Sequence, residues 1–265
     1  MLYTLFLTLL KTTAIQLAGL FGIFFAFGII LSWLQRVTQY NYRRAFGWKG
    51  ILFTAWFGTP FHELGHVFFA KLFRHRIARV SLFSPNESTG GLGSVDHSYN
   101  KNSLYQKIGN FFVGSAPIIF GGAILSLMLY FLVPNGPKAL TPLLQADSVE
   151  FYFEAIKRMF LTLFSIENLT KWNFWLFIYL SFCIVAHLAP SREDRRGMWA
   201  GLGWIILILL CVNFITLLVQ FDITKYILRS AMYLQFLIGV FAYATAIAIV
   251  HFFLSFILLK PFSRR

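Results

Sequence analysis

The chain has 265 residues, of which 58% are hydrophobic and only 12% charged. Ordinary soluble domains carry roughly 25% charged residues, so a soluble globule is excluded and a multi-pass membrane protein is expected. The net charge of +13 comes from 23 basic and 10 acidic residues. In so apolar a chain, Lys and Arg that flank membrane spans and meet anionic headgroups explain this better than nucleic acid does.

Taken in chain order, Lys11 precedes a long apolar stretch without a small-residue cleavage site, which predicts a retained first span and not a removed signal peptide. A span needs about 20 mostly apolar residues. Six stretches meet that criterion, at 13–34, 51–73, 109–133, 173–189, 198–220 and 231–259. The expected fold class is therefore an all-α polytopic membrane protein, a single integral membrane domain over 1–265. Its core is expected at 51–197, with peripheral helices at 13–34 and 198–259. Alternating the loops between two sides places more basic residues on the side of both termini, which predicts cytoplasmic termini. Cys183 and Cys211 lie in apolar runs and suggest neither a disulfide framework nor a thiolate cluster.

Two connections are long enough for structure of their own. In the first, Ile77-Ala78-Arg79-Val80-Ser81-Leu82-Phe83 alternates and is followed by Ser84-Pro85-Asn86-Glu87-Ser88-Thr89-Gly90-Gly91. This predicts a strand, a turn and a returning strand. In the second, Val149, Tyr152, Phe153, Ile156, Phe160 and Leu163 share one helical face, opposite Glu150, Glu154, Lys157 and Arg158. The pattern predicts an amphipathic helix along the membrane surface, with Glu154 and Arg158 paired at a spacing of four.

One constellation carries chemistry: His62-Glu63-Leu64-Gly65-His66, inside the apolar run 51–73. On a helix, His62 and His66 share a face and can reach one zinc ion, while Glu63 lies where an activated water would sit. Random placement of the six His and six Glu of this chain would produce the pattern about 0.003 times. Three ionisable groups within five residues of a span are also costly unless they serve a site. Catalytic zinc usually takes three protein ligands. The residues leave five candidates for the third: Asp96, His97, His187, Glu193 and Asp194. The end of the fourth span and the residues after it share a leaflet with His66, the one facing the cytoplasm.

These residues resemble the site-2 protease family of intramembrane zinc metalloproteases over roughly Thr59 to Gly197. Residues 76–91 look like the family's membrane-dipping hairpin, and Gly114-Ser115-Ala116-Pro117 like the small-residue motif of its next helix. His187-Leu188-Ala189-Pro190 with Asp194 is similar to the motif that supplies the third ligand, although His187 stands where the family has asparagine and Asp194 comes one residue early. The resemblance implies zinc held by His62, His66 and Asp194, with His187 as the next candidate, and Glu63 as general base. It also implies hydrolysis of a peptide bond in or near a transmembrane segment of a membrane-protein substrate. Such a substrate has to unwind, because a helix hides its carbonyls. An exposed strand over Ile77, Val80 and Leu82 can then hold it by main-chain pairing. Outside this constellation, His75 is assigned to headgroup contact and His251 to a hydrogen-bonded core position.

Overall fold

Apolar segments in lipid must satisfy their own backbone groups, and the helix does so within one segment. The chain follows that rule in a computed structural model, which describes residues 2–145, 149–231 and 235–262. The elements are α1 (Leu2–Phe46), α2 (Trp48–Leu72), β1 (Arg76–Ser81), β2 (Ser94–Ser98), α3 (Leu104–Leu132), α4 (Gly136–Gln145) and α5 (Val149–Leu163). They continue with α6 (Ile166–Leu169), α7 (Trp172–Val185), α8 (Arg192–Leu218), α9 (Thr224–Ala231) and α10 (Gln235–Leu259).

Each of the six predicted stretches contains a helix, and among the described residues four helices are long and apolar enough to cross a membrane: α1, α3, α8 and α10. α7 has only 14 residues. α2 has 25, but Thr54, Thr59, Glu63 and His66 interrupt its apolar character, and all four are buried against neighbouring helices.

Alternation of six spans makes the helices at 173–189 and 198–220 antiparallel. The structure lays them end to end instead. Asn173 of α7 donates to the Leu132 carbonyl at the end of α3 (2.7 Å). Further along, Ile184 and Leu188 pack at Gly121, Asp194 and Met198 at Gly114, and Lys107 lies 3.9 Å over the Trp204 ring. Gly114 lets α8 come this close, because a methyl group there would stand 2.6 Å from the Met198 nitrogen. α7 and α8 thus run in one direction along α3, as a single helix broken at residues 186–191. On the other side α1 follows the same pair, with Gln39 beside Ala186, Gln35 beside Ala189, Phe25 stacked on Trp199 and Gln16 beside Asn213.

The main core lies where α3, α5, α7 and α10 meet, around Leu125, Leu129, Met159, Phe174, Phe177 and Ile247. The face of α5 that enters it is Ala155, Ile156, Met159, Phe160 and Leu163, so Ile156, Phe160 and Leu163 of the predicted face meet the core, while Phe153 is exposed. The side chains of Val149, Glu150 and Tyr152 lie outside the described residues. Glu154 pairs with Lys157 at 3.6 Å, three residues on, in place of the expected Arg158. The predicted hairpin is present. β1 pairs antiparallel with β2, Ile77 opposite His97 and Val80 opposite Val95, with an irregularity between Ile77 and Arg79. Its connection is closed by Asn86, whose side-chain oxygen accepts from the Ser88 amide (3.0 Å).

Candidate metal centre

α2 carries His62 and His66 one turn apart on the face toward α3 and the break between α7 and α8. The Nδ1 atom of His62 lies 2.7 Å from the His187 carbonyl oxygen, and that of His66 lies 2.9 Å from the Val113 carbonyl oxygen. A carbonyl only accepts, so Nδ1 carries the hydrogen on both rings. In the neutral imidazole this leaves the Nε2 lone pair free. Both Nε2 atoms point at one carboxylate, His66 3.3 Å from Asp194 Oδ1 and His62 3.6 Å from Asp194 Oδ2.

Asp194 is held by the start of its own helix. Ser191 caps α8, its Oγ accepting from the Asp194 amide (3.1 Å) while Asp194 Oδ2 accepts from the Ser191 amide (2.7 Å). This reciprocal box fixes the carboxylate as well as the helix end. The ligand atoms of His62, His66 and Asp194 all lie within 4.8 Å of one another, close enough to hold a metal ion. Tetrahedral bonds of 2.0–2.2 Å set neighbouring ligand atoms roughly 3.3–3.6 Å apart, which the two His–Asp spacings match. Imidazoles whose second nitrogen is anchored on a backbone carbonyl are also typical of metal ligands.

A cleft of about 1010 Å³ opens at the cluster. Glu63 lines it and is 7% exposed. The return of the hairpin crosses close by. A methyl group added at Gly93 would stand 2.9 Å from Glu63 Cγ, so glycine there permits the approach. Phe24, Phe25, Ile29 and Trp199 make one part of the wall apolar, and Thr59 adds a buried hydroxyl without a partner among the described residues.

Of the five candidates for a third ligand, only Asp194 joins the two histidines. His187 serves them from behind: its carbonyl holds His62 and its Nε2 lies 3.1 Å from the Thr54 hydroxyl. Asp96, His97 and Glu193 line the cleft without entering the cluster, and His97 pairs with His75 at 3.2 Å between Nδ1 atoms. His75 is buried against that partner and the Gln106 carbonyl, not held out to headgroups. His251 is buried, bonded to the Tyr42 hydroxyl (3.1 Å) and stacked on Phe182. The hairpin meets the cleft through its turn and β2, from Thr89 to His97. Ile77 packs instead beside Phe69 and Ala116, and Val80 and Leu82 are exposed, so these three residues do not line the cleft.

Gln35, Gln39, Thr54 and Ser191 also shape the site. Only Ser191 had a readable signal, the Ser-x-x-Asp spacing of a capping box. Comparison with known protein families, with curated proteins and with solved structures finds no match for this chain.

Proposed function

We propose that the protein is a zinc-dependent intramembrane protease of the site-2 type, with six helical segments in the membrane and the site toward the cytoplasmic leaflet. The expected placement of both termini on that side does not hold, because α10 runs alongside α1 in the same direction. Phe241 lies beside Phe24, Phe252 beside Trp33 and Phe262 beside Phe46, so Leu2 and Phe262 are at opposite ends of the bundle. The observation that carries this reading is the convergence of His62, His66 and Asp194 on one point beside Glu63, in a cleft among apolar helices. Two imidazoles and one carboxylate are a donor set that suits zinc and leaves a coordination position open.

A zinc ion bound there supplies Lewis acidity to water and to a substrate carbonyl. The protein's own groups do the rest. Glu63 takes the proton from the attacking water as oxygen adds to the carbonyl carbon, and delivers it to the departing amide nitrogen as the C–N bond breaks. The His187 and Val113 carbonyls keep His62 and His66 in the ligating tautomer. The Ser191 amide keeps Asp194 from rotating away. The helices around the cleft limit water to what the cleft admits, and an unwound substrate segment can pass along the hairpin return between Thr89 and His97.

The test is cleavage of a synthetic transmembrane peptide by the purified protein in detergent. Zinc-dependent cleavage, lost in Glu63→Gln while zinc is retained, is the expected result. Hydrolysis of a lipid ester or amide in place of the peptide would reassign the substrate, since the apolar wall of the cleft suits an acyl chain as well. Stoichiometric metal without any turnover would make the protein a metal-binding membrane protein and not an enzyme.

A further inference from the structure

The break between α7 and α8 frees backbone groups that no helix satisfies, and burial makes each costly if left unpaired. Two are closed locally: the Ser191 amide donates to Asp194, and the Pro190 carbonyl accepts from Arg195 (2.6 Å). A third, the His187 carbonyl, accepts from His62. Two more are met from outside the cluster by α1. Gln39 Nε2 donates to the Ala186 carbonyl (2.7 Å), and Gln35 Oε1 accepts from the Ala189 amide (2.5 Å). These glutamines are four residues apart, so one turn of α1 grips both ends of the segment Ala186–Ala189. At its centre is the His187 carbonyl that orients His62.

We infer that Gln35 and Gln39 are positioning residues of the metal centre, fixing from α1 the peptide on which His62 is aimed and the point where the helix of Asp194 begins. The inference rests on the metal-binding reading above. Free to tilt, the His187 peptide lets the His62 ring turn, and Nε2 leaves the line to Asp194. Partners one shell out from the ligands typically change metal affinity by 10–100-fold. The two glutamines act with opposite polarity, which gives the inference a signature that plain packing lacks. Glu in place of Gln39 removes the donor and sets a carboxylate against the Ala186 carbonyl. Glu in place of Gln35 still accepts from the Ala189 amide.

The experiment is titration of the full chain in detergent with Co²⁺, reading the visible ligand-field bands and the Kd, for the parent, Gln39→Glu, Gln39→Met, Gln35→Glu and Gln35→Met. Thermal unfolding of each metal-free protein serves as the folding control. Expected are Kd values raised about 10–100-fold and altered bands for Gln39→Glu, Gln39→Met and Gln35→Met, with Gln35→Glu close to the parent. Parent-like Kd and bands in both Gln39 variants overturn the inference and leave the metal site standing, and so does a change confined to the unfolding temperature. No metal bound by the parent overturns both.

Discussion

Two buried polar clusters share α8, one tying it to α1 and the other to α2, and they are built on opposite principles. Toward the start of α1, Gln16 and Asn213 form a reciprocal amide pair: Gln16 Nε2 donates to Asn213 Oδ1 (2.9 Å) and Asn213 Nδ2 to Gln16 Oε1 (2.8 Å). Their second hydrogens go to Thr224 (3.2 Å) and Thr13 (2.9 Å). Donors and acceptors cancel, so this cluster is complete as it stands and can act as adhesive between helices. Near the first turn of α8, the cluster of His62, His66 and Asp194 spends its imidazole hydrogens on backbone carbonyls. What remains is an inward ring of acceptors. A ring of acceptors is stable only around a cation, either added protons or a metal ion. A closed network holds helices together, whereas an open one is a binding site.

The comparison breaks most sharply on the ligands themselves. Removing an acceptor from the open ring, as in His66→Ala or Asp194→Ala, is expected to abolish stoichiometric zinc as measured by elemental analysis. Asn213→Ala should leave zinc unchanged, and loss of zinc in that variant would erase the distinction. A smaller effect is expected for Ser191→Ala, which removes the cap and one restraint on the carboxylate. Caps are worth about 0.5–2 kcal/mol, and a chelator competition should show zinc weakened by about tenfold. Unaltered zinc affinity there would mean that the carboxylate holds its place without the cap.

The closed cluster sharpens the contrast through stability. Asn213→Ala strands the Gln16 Oε1 and one of its two Nε2 hydrogens and should cost about 1–3 kcal/mol, whereas the double variant Gln16→Leu, Asn213→Leu, which removes both partners, should be nearly neutral. Denaturant titration in detergent distinguishes them. A double variant as unstable as the single one would show that the pair does more than satisfy itself.

The smallest effect concerns His75 and His97, which are intermediate between the two types. His75 donates from Nε2 to the Gln106 carbonyl (2.9 Å), so a single hydrogen joins the two Nδ1 atoms. Burial lowers the pKa of both below the ordinary imidazole value of 6.5, and for His97 the neighbouring His75 and His66 lower it further, against Asp194 and Asp96. The folded state therefore binds fewer protons than the unfolded one. The stability this contact gives is present above pH 6.5 and is lost as pH falls through the lower folded values. Amide hydrogen exchange across 76–98, corrected for intrinsic rates, should show weaker protection at pH 5.5 than at 7.5, with the difference reduced in His97→Gln. Equal protection at both pH values would remove the contact from the account.

Much of the site was legible because its chemistry is local in sequence. His62, Glu63 and His66 fall within one helical turn, and a spacing of four determines a shared face without any tertiary knowledge. The hairpin was legible for the same reason, since alternation and turn residues are short-range signals. What escaped is long-range. Hydropathy sees apolar length but not direction, so it could not tell that α7 and α8 run the same way along α3. It could not show that β2 and not Ile77, Val80 and Leu82 faces the cleft, because both strands alternate. Gln35 and Gln39 look like ordinary polar residues at the end of an apolar run, and only the neighbouring break gives them partners.

The placement of Asp194 at the first turn of α8 also orders events during synthesis. It follows His66 by 128 positions, and ribosomes add roughly 5–20 residues per second, so the nascent chain holds its paired histidines for on the order of 10 s before the carboxylate exists. Until α8 starts to coil, the Ser191 cap that aims this carboxylate is absent as well. The cluster is thus completed late and by a folding event, which keeps the polar centre unfinished while the earlier helices are still finding their places in the bilayer.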